Sequence, residues 1–265
     1  MRLVYKYPYP MGQATLPTQN LYFPSTDGLV RFSKTTDATS SSWENPQTVG
    51  HAIRELIQQK NYPCLAALKS LHQKDYQVGL YDKFGSAKSW RNLRNDLLFF
   101  IQEQKKSQSI YLSFWAVFEP ADFSEDEFET ALWNELSHLT SVENRPTDWN
   151  ENNTSDPLAP EFRLSLDGVD FFIVGLHAKS SRKSRQFPYP TLIFNVFDQF
   201  EELERRNQYL PLVRANRERD QKFQGDVNPM VKRHGDQWES IQFSGRANPP
   251  DWKCPFRFIK TADKP

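Results

Sequence analysis

The segment Phe171–Arg185, FFIVGLHAKSSRKSR, carries the pattern best suited to chemistry. An apolar run ends at Gly175-Leu176, His177 follows at once, and then come Lys179, Arg182, Lys183 and Arg185. A histidine at the end of a strand can point into a cleft, and neutral imidazole is a common metal ligand. The cations form too short a run for general polyanion binding and suit a ligand with a few fixed negative charges. Haem has that character: a metal for the histidine, a flat apolar ring for aromatic walls, and propionates for Arg and Lys. The plainer reading is a hydrogen-bonded histidine beside a solvated basic loop. A single histidine does not choose between the two.

Other residues offer weaker signals. Asp198, Glu201 and Glu202 cluster at the start of an expected helix, where acidic groups complement the helix dipole; a carboxylate there could also recognise a cationic substrate. Arg217-Glu218-Arg219-Asp220 reads as helix-surface ion pairs or as an anion anchor. Cys254, within Trp252-Lys253-Cys254-Pro255-Phe256, reads as a thiolate ligand or as a small buried hydrophobe. Phosphate-binding glycine loops, the Gly-x-Ser-x-Gly elbow, the His-Glu-x-x-His helix and Cys-x-x-Cys-His are absent from the chain. None of His51, His72, His138, His177 and His234 pairs with another at helical metal-site spacing, which disfavours mononuclear zinc.

These residues need a scaffold, and the hydrophobic pattern supplies one. Helices are expected after Pro46 (Val49, Ile53, Leu56, Ile57), after Pro63 (Leu65, Leu68, Leu71) and over Trp90–Ile101. Another follows Ser124, whose spacing to Glu127 fits a capping box. Two more are expected, over about Asp198–Asn207 and from about Pro211 to Gln221. Strands are expected at Val78–Tyr81, Ile110–Phe118, Phe162–Leu166, Val169–Leu176 and Thr191–Phe197, with Asp167-Gly168 as a hairpin turn. The fold class is α/β or α+β: a single domain with a mixed, aromatic-rich sheet flanked by helices. Residues 1–45, broken by Pro8, Pro10, Pro17 and Pro24 and by a Ser/Thr/Asp tract, read as an irregular N-terminal arm ahead of a domain at 46–265.

Composition narrows the class further. The 265 residues carry 33 basic and 33 acidic groups, so the basic excess expected of a nucleic-acid binder is missing. No run approaches the ~18 apolar residues of a membrane span, and the first residues lack the apolar core of a signal peptide. With only Cys64 and Cys254, neither a disulfide framework nor a Cys-rich zinc site is available. A cytoplasmic protein, bound neither to nucleic acid nor to membrane, is expected.

An ordered series of short blocks resembles the YqcI/YcgG family over about residues 60–256. The blocks are Tyr62-Pro63-Cys64; Phe128-Glu129 with Leu132-Trp133; Asp156-Pro157; and Gly175-Leu176-His177 with Ser180-Ser181-Arg182 and Arg185. They continue with Pro190-Thr191, Phe194-Asn195, Gln199-Phe200-Glu201, Asn228-Pro229-Met230, Ser244-Gly245-Arg246 and Trp252-Lys253-Cys254-Pro255-Phe256. Characterised members are haem-dependent enzymes that hydroxylate nitrogen in guanidino and amino compounds of the arginine type. The resemblance implies such a monooxygenase in specialised metabolism. Its cofactor would be haem b, its substrate a small amine or guanidine, its oxidant O2 or peroxide, and an electron donor would supply reducing equivalents. It implies His177 as the iron ligand with Cys254 as rival, Arg182 and Arg185 on the haem carboxylates with Lys179 in reserve, and Trp252 in the pocket wall. Asp198, Glu201 or Glu202 would hold a cationic substrate.

The chain departs from the family pattern in places. Ala178 stands where Gly-Leu-His-Pro has its Pro, Phe197 stands where a His is common, and Leu139-Thr140 replaces a Leu-His pair. Any role of those histidines is lost or moved, whereas His177 is retained. The competing class is non-catalytic: a haem sensor or carrier, or a protein whose basic loop grips an anionic ligand.

Overall fold

Asp167 and Gly168 both take positive φ, 51° and 71°, the geometry of a two-residue turn that twists with its strands. They join β5 (Leu164–Leu166) to β6 (Val169–Leu176), the hairpin expected from the sequence. The computed structural model describes residues 15–32, 43, 45–141, 149–230 and 239–259. Among these, seven strands form one mixed sheet. The others are β1 (Leu21–Pro24), β2 (Leu29–Arg31), β3 (Tyr76–Tyr81), β4 (Ser113–Phe118) and β7 (Thr191–Val196). The order is β2-β1-β3-β4-β7-β6-β5. Only β3 and β4 run parallel, and the crossover between them is α3 (Ala87–Lys106), as parallel neighbours require.

The remaining helices are α1 (Pro46–Ile57), α2 (Leu65–Gln73), α4 (Glu125–Leu139), α5 (Asp198–Arg205) and α6 (Tyr209–Gln224). Their starts follow local chemistry. Asn45 caps α1 with Pro46 at its first position, and Ser86 caps α3. Ser124 and Glu127 form the expected capping box, with the Ser124 N–H donating to Glu127 Oε2 at 2.8 Å. The fold is therefore the mixed α/β domain that the pattern indicates. Among the described residues, no helix is long and apolar enough to cross a membrane.

The N-terminal arm differs from expectation in part. Leu21, Tyr22 and Leu29 are buried, and β1 pairs antiparallel with β3, extending the sheet. The arm is anchored by Thr18, whose N–H and hydroxyl donate to the Asp96 carboxylate at 2.6 and 2.8 Å. These strands are too short, in a Pro- and Thr-rich stretch, for period-two patterning to show. Residues 1–14, 33–42 and 44 lie outside the described residues.

Two apolar layers flank the sheet. α3, α4 and the C-terminal segment around Phe243 and Trp252–Phe256 cover one face, packing on Phe114, Ala116, Phe118, Ile173 and Phe194. α1 and α2 cover the other, against Val78, Trp115, Val117 and Ile193. The α3/α4 side also buries acids. Asp96 accepts from Thr18 and from the Tyr81 hydroxyl at 2.8 Å, yet burial still raises it to about 6. Glu135 receives the Gly85 N–H and Trp90 Nε1–H on Oε2, at 2.8 and 2.9 Å, while Oε1 is buried without a partner. Burial outweighs those two donors and pushes Glu135 up to about 8.

The folded state thus holds a proton on Glu135 that the unfolded chain loses near its ordinary value of 4.5. The associated stability is fully present below about pH 4.5 and is lost as pH rises through about 8. Glu135→Gln mimics the protonated acid. The variant is expected to show a flatter decline of Tm between pH 5 and 9 than the parent, by roughly 2–4 °C for each kcal/mol removed. Thermal melts across that range provide the check, and parallel declines in the two proteins would refute the assignment.

Candidate functional site

Alternation along β6 sorts its side chains into two environments. Phe171, Ile173 and Gly175 face α4, where a Cβ on Gly175 would lie 2.7 Å from Phe128 and 2.9 Å from Leu132. Phe172 and Val174 face the opposite way and are only half-buried. They are under-covered because a cavity of about 280 Å³ lies between that face and α2, α5 and α6. Its floor is formed by Trp115, Phe172, Val174, Ile193 and Asn195, and its rim reaches the exposed Arg217 and Val227. The volume is close to the lower end of the ~300–1,000 Å³ typical of small-molecule pockets.

The turn Tyr62-Pro63-Cys64 enters the cavity wall at the N-terminus of α2. Cys64 caps that helix through sulfur, accepting the Ala67 N–H at 3.4 Å. α6 fastens the turn from outside: Asn216 Oδ1 accepts the Leu65 N–H at 3.1 Å, and Arg219 Nε–H donates to the Tyr62 carbonyl at 2.7 Å. Burial raises the Cys64 thiol, while the Ala67 and Ala66 amides and the Arg185 guanidinium pull it down. Burial likewise keeps Tyr62 a neutral phenol, its hydroxyl donating to the Ser184 carbonyl at 3.3 Å.

Among the described residues, the charged groups of the lining are Arg185, Arg217 and the carboxylate Asp220. Asp220 Oδ2 accepts from Arg182 at 2.7 Å and from the Asn228 N–H at 2.8 Å. The wall is therefore mostly apolar and aromatic with a cationic bias, a setting for a flat molecule bearing acidic groups. Among the described residues, no group of three or more His, Cys, Asp and Glu could hold a bare metal ion.

Of the residues nominated by sequence, the structure brings Arg185, and Arg217 and Asp220 of the charged run, to the cavity, and leaves His177, Lys179, Arg182, Trp252, Cys254, Asp198, Glu201 and Glu202 outside its lining. His177 continues the odd register of Ile173 and Gly175. It is 1% exposed, its ring stacks on Phe128 with centroids 4.4 Å apart, and Nδ1 has no partner. Burial lowers its basicity. Cys254 and Trp252 belong to the same α4-side core, Trp252 tilted against Trp133 at 6.1 Å. Burial pushes the Cys254 thiol up to about 12.

The basic loop is pinned at its two buried arginines, while Lys179 and Lys183 stay exposed. Lys179 pairs with Asp122 at 2.7 Å, and Arg182 bridges Asp220 and Asp226. Arg185 donates to the carbonyls of Gly175, Phe243 and Gln242 at 3.1, 3.2 and 3.1 Å. On α5 the cavity face is Gln199, Phe200 and Leu203. Asp198 is exposed, Glu201 faces Arg163 at 3.9 Å, and Glu202 pairs with Arg205 and Arg206. In the sequence Cys64 is marked only by the Tyr62-Pro63-Cys64 block, and Asp220 only by the charged run Arg217-Glu218-Arg219-Asp220. The signal for Cys64 was present in Pro63-Cys64 directly before an amphipathic helix, where a side chain must cap.

A mixed seven-stranded α/β sheet with one face opened into an aromatic-walled cavity is the class of protein these features define. A model of the YqcI/YcgG family matches residues 53–257, and the chain belongs to that family. No curated protein and no solved structure matches the chain.

The two arginines are expected to act on the fold before they act on any ligand. Arg182→Ala strands the buried Asp220 carboxylate, a change that typically costs about 3–5 kcal/mol. Arg185→Ala orphans carbonyls at ~1–3 kcal/mol per buried group. Urea unfolding of the ligand-free protein should show both losses. Unchanged midpoints would show that these cations are spare groups awaiting a ligand.

Proposed function

We propose that this chain is a haem-dependent oxygenase that hydroxylates a nitrogen of a small amino or guanidino compound, and that the cavity over β4, β6 and β7 receives the cofactor. The observation that carries this reading is the cavity lining, where aromatic and aliphatic walls, one sulfur donor and cationic groups occur together. Trp115, Phe172 and Val174 would suit a flat apolar ring and Arg217 at the rim a carboxylate, while the cavity of about 280 Å³ is smaller than the macrocycle and would have to widen to take it. When bound, haem supplies the activation of oxygen that no side chain can provide. The chain's own work is to exclude water with the apolar floor, to meet a carboxylate at the Arg217 rim, and to orient the substrate nitrogen.

The reaction balances as one oxygen atom inserted into an N–H bond to give N–OH. With O2, the second oxygen leaves as water, using two electrons and two protons from an external donor. With peroxide no donor is needed, and the other product is again water. Cys64 and Cys254 are both free thiols, as expected in the reducing cytoplasm where we place the protein.

The cationic bias of the lining equally favours an acidic ligand that is held without turnover, the reading of a haem carrier or an anion-binding protein. Haem titration of the purified chain, followed by turnover with amines and guanidines, separates these. Val213 lines the cavity from α6 and is half-buried, so Val213→Trp should fill the space while leaving the fold intact. A Soret band in the parent and at least a tenfold weaker haem affinity in the variant, about 1.4 kcal/mol, are expected. Absence of a Soret band in the parent would end the haem reading, and haem bound without N-hydroxylated product would leave the carrier.

A further inference from the structure

We propose that the cavity, at the size it has, binds a small flat acid: an apolar aromatic body bearing one carboxylate. The inference rests on the cavity alone and needs no cofactor there, so it stands apart from the haem reading. Along β6 the lining changes in kind. It begins at Phe172, which meets Phe200 of α5 edge to face with centroids 5.8 Å apart, and continues through Val174, beside Ile193 of β7. Ring faces and edges of this sort suit a planar apolar body. Past Val174 comes the Gly175 carbonyl, held by Arg185, and Arg185 lines the cavity together with Ser184 and the Tyr62-Pro63-Cys64 turn.

The charge at that end selects the anion. Arg185 is 9% exposed, and its guanidinium donates to the carbonyls of Gly175, Phe243 and Gln242. Carbonyl dipoles solvate a cation without cancelling its charge. Among the described residues no carboxylate forms an ion pair with Arg185, and Asp220, the carboxylate of the lining, is taken by Arg182 at 2.7 Å. A buried charge without a counter-ion is costly, and burial already lowers the Arg185 pKa to about 10. A carboxylate entering this wall would supply the missing counter-ion in surroundings where opposite charges attract more strongly than in water. The nine-residue helix α2 starts at the same turn and adds the positive end of its dipole. One buried cation matches one carboxylate, whereas a dianion would bring a second charge with no buried partner among the described residues.

The test is calorimetric titration of the full-length, hemin-free protein at neutral pH with 2-naphthoate and with 2-naphthamide, probes of the same shape that differ in charge. Arg185 also ties the fold together, so the charge is varied on the ligand and the protein variants fill the space instead. Val213→Trp does so from α6, and Ala66→Leu, at a half-buried lining position on α2, is the second filling variant should the first not fold. Unchanged melting temperatures verify the variants. The expected result is one naphthoate site per chain, with an affinity at least about tenfold above that of the amide, about 1.4 kcal/mol. That affinity should fall about tenfold or more in a folded filling variant. Naphthoate bound no better than the amide would overturn the role of the cation. Binding that both folded variants leave unchanged would place the acid outside the cavity, and absence of naphthoate binding would overturn the proposal outright. Hemin is absent throughout, so failure here and failure of the haem reading are read separately.

Discussion

Past Phe171 the strand β6 has no neighbour on its outer side, because β5 pairs only with Val169–Phe171. A buried sheet edge must find partners for its amides and carbonyls. Arg185 and the segment Gln242–Phe243 provide them. The Gly175 N–H donates to the Phe243 carbonyl at 2.7 Å, and the Gly175 carbonyl accepts from Arg185, whose guanidinium also holds the carbonyls of Phe243 and Gln242. One buried cation thereby ties a strand, the loop after it and the C-terminal segment into a single wall. Burial lowers Arg185 to about 10, which still leaves it charged at neutral pH. Glycine is required at 175 because any Cβ would meet Phe128, Leu132 and the Phe243 carbonyl within 3 Å.

That closure has unequal consequences for the two faces of the sheet. On the α4 side it completes a solid core in which His177, Cys254 and Trp252 are buried. On the other side, α2, α5 and α6 stand back from Phe172, Val174 and Ile193 and leave the cavity. Glu129 shows how firmly the solid side is built. Its carboxylate accepts from Ser244, Arg246 and Asn248 at 3.0, 2.9 and 2.8 Å, latching the C-terminal segment to α4. On the open side, α6 reaches the Tyr62 carbonyl through Arg219 and the first residue of α2, Leu65, through Asn216.

Most elements were legible from periodicity and caps, since Ser124–Glu127, Pro46 and Asp167-Gly168 act through their immediate neighbours. β1 and β2 were not, because their pairing with β3 and anchoring at Asp96 join residues far apart in sequence. Site residues were harder still. His177 stands out in sequence as a strand-end histidine before a basic loop. Which face it occupies depends on a one-residue register, and that register points it at Phe128. The loop cations resembled a ligand cradle, yet Asp122, Asp220, Asp226 and backbone carbonyls claim them, partners no local pattern reveals. Cys64 is a lone thiol in the sequence, and only the fold shows the cavity that it borders.

If the proposed function holds, ligand chemistry belongs to the cavity face and not to the α4 face. Differential thiol labelling tests this most directly. A small apolar alkylating reagent is applied at alkaline pH with and without hemin, and the two cysteine peptides are quantified by mass spectrometry. The account predicts that Cys64, half-buried at the cavity wall, is labelled in the ligand-free protein and protected by hemin. Cys254, 5% exposed in the opposite core, should remain unlabelled in both. Labelling of Cys64 that hemin does not change, or hemin-dependent protection of Cys254, would place the ligand on the other face and contradict the account.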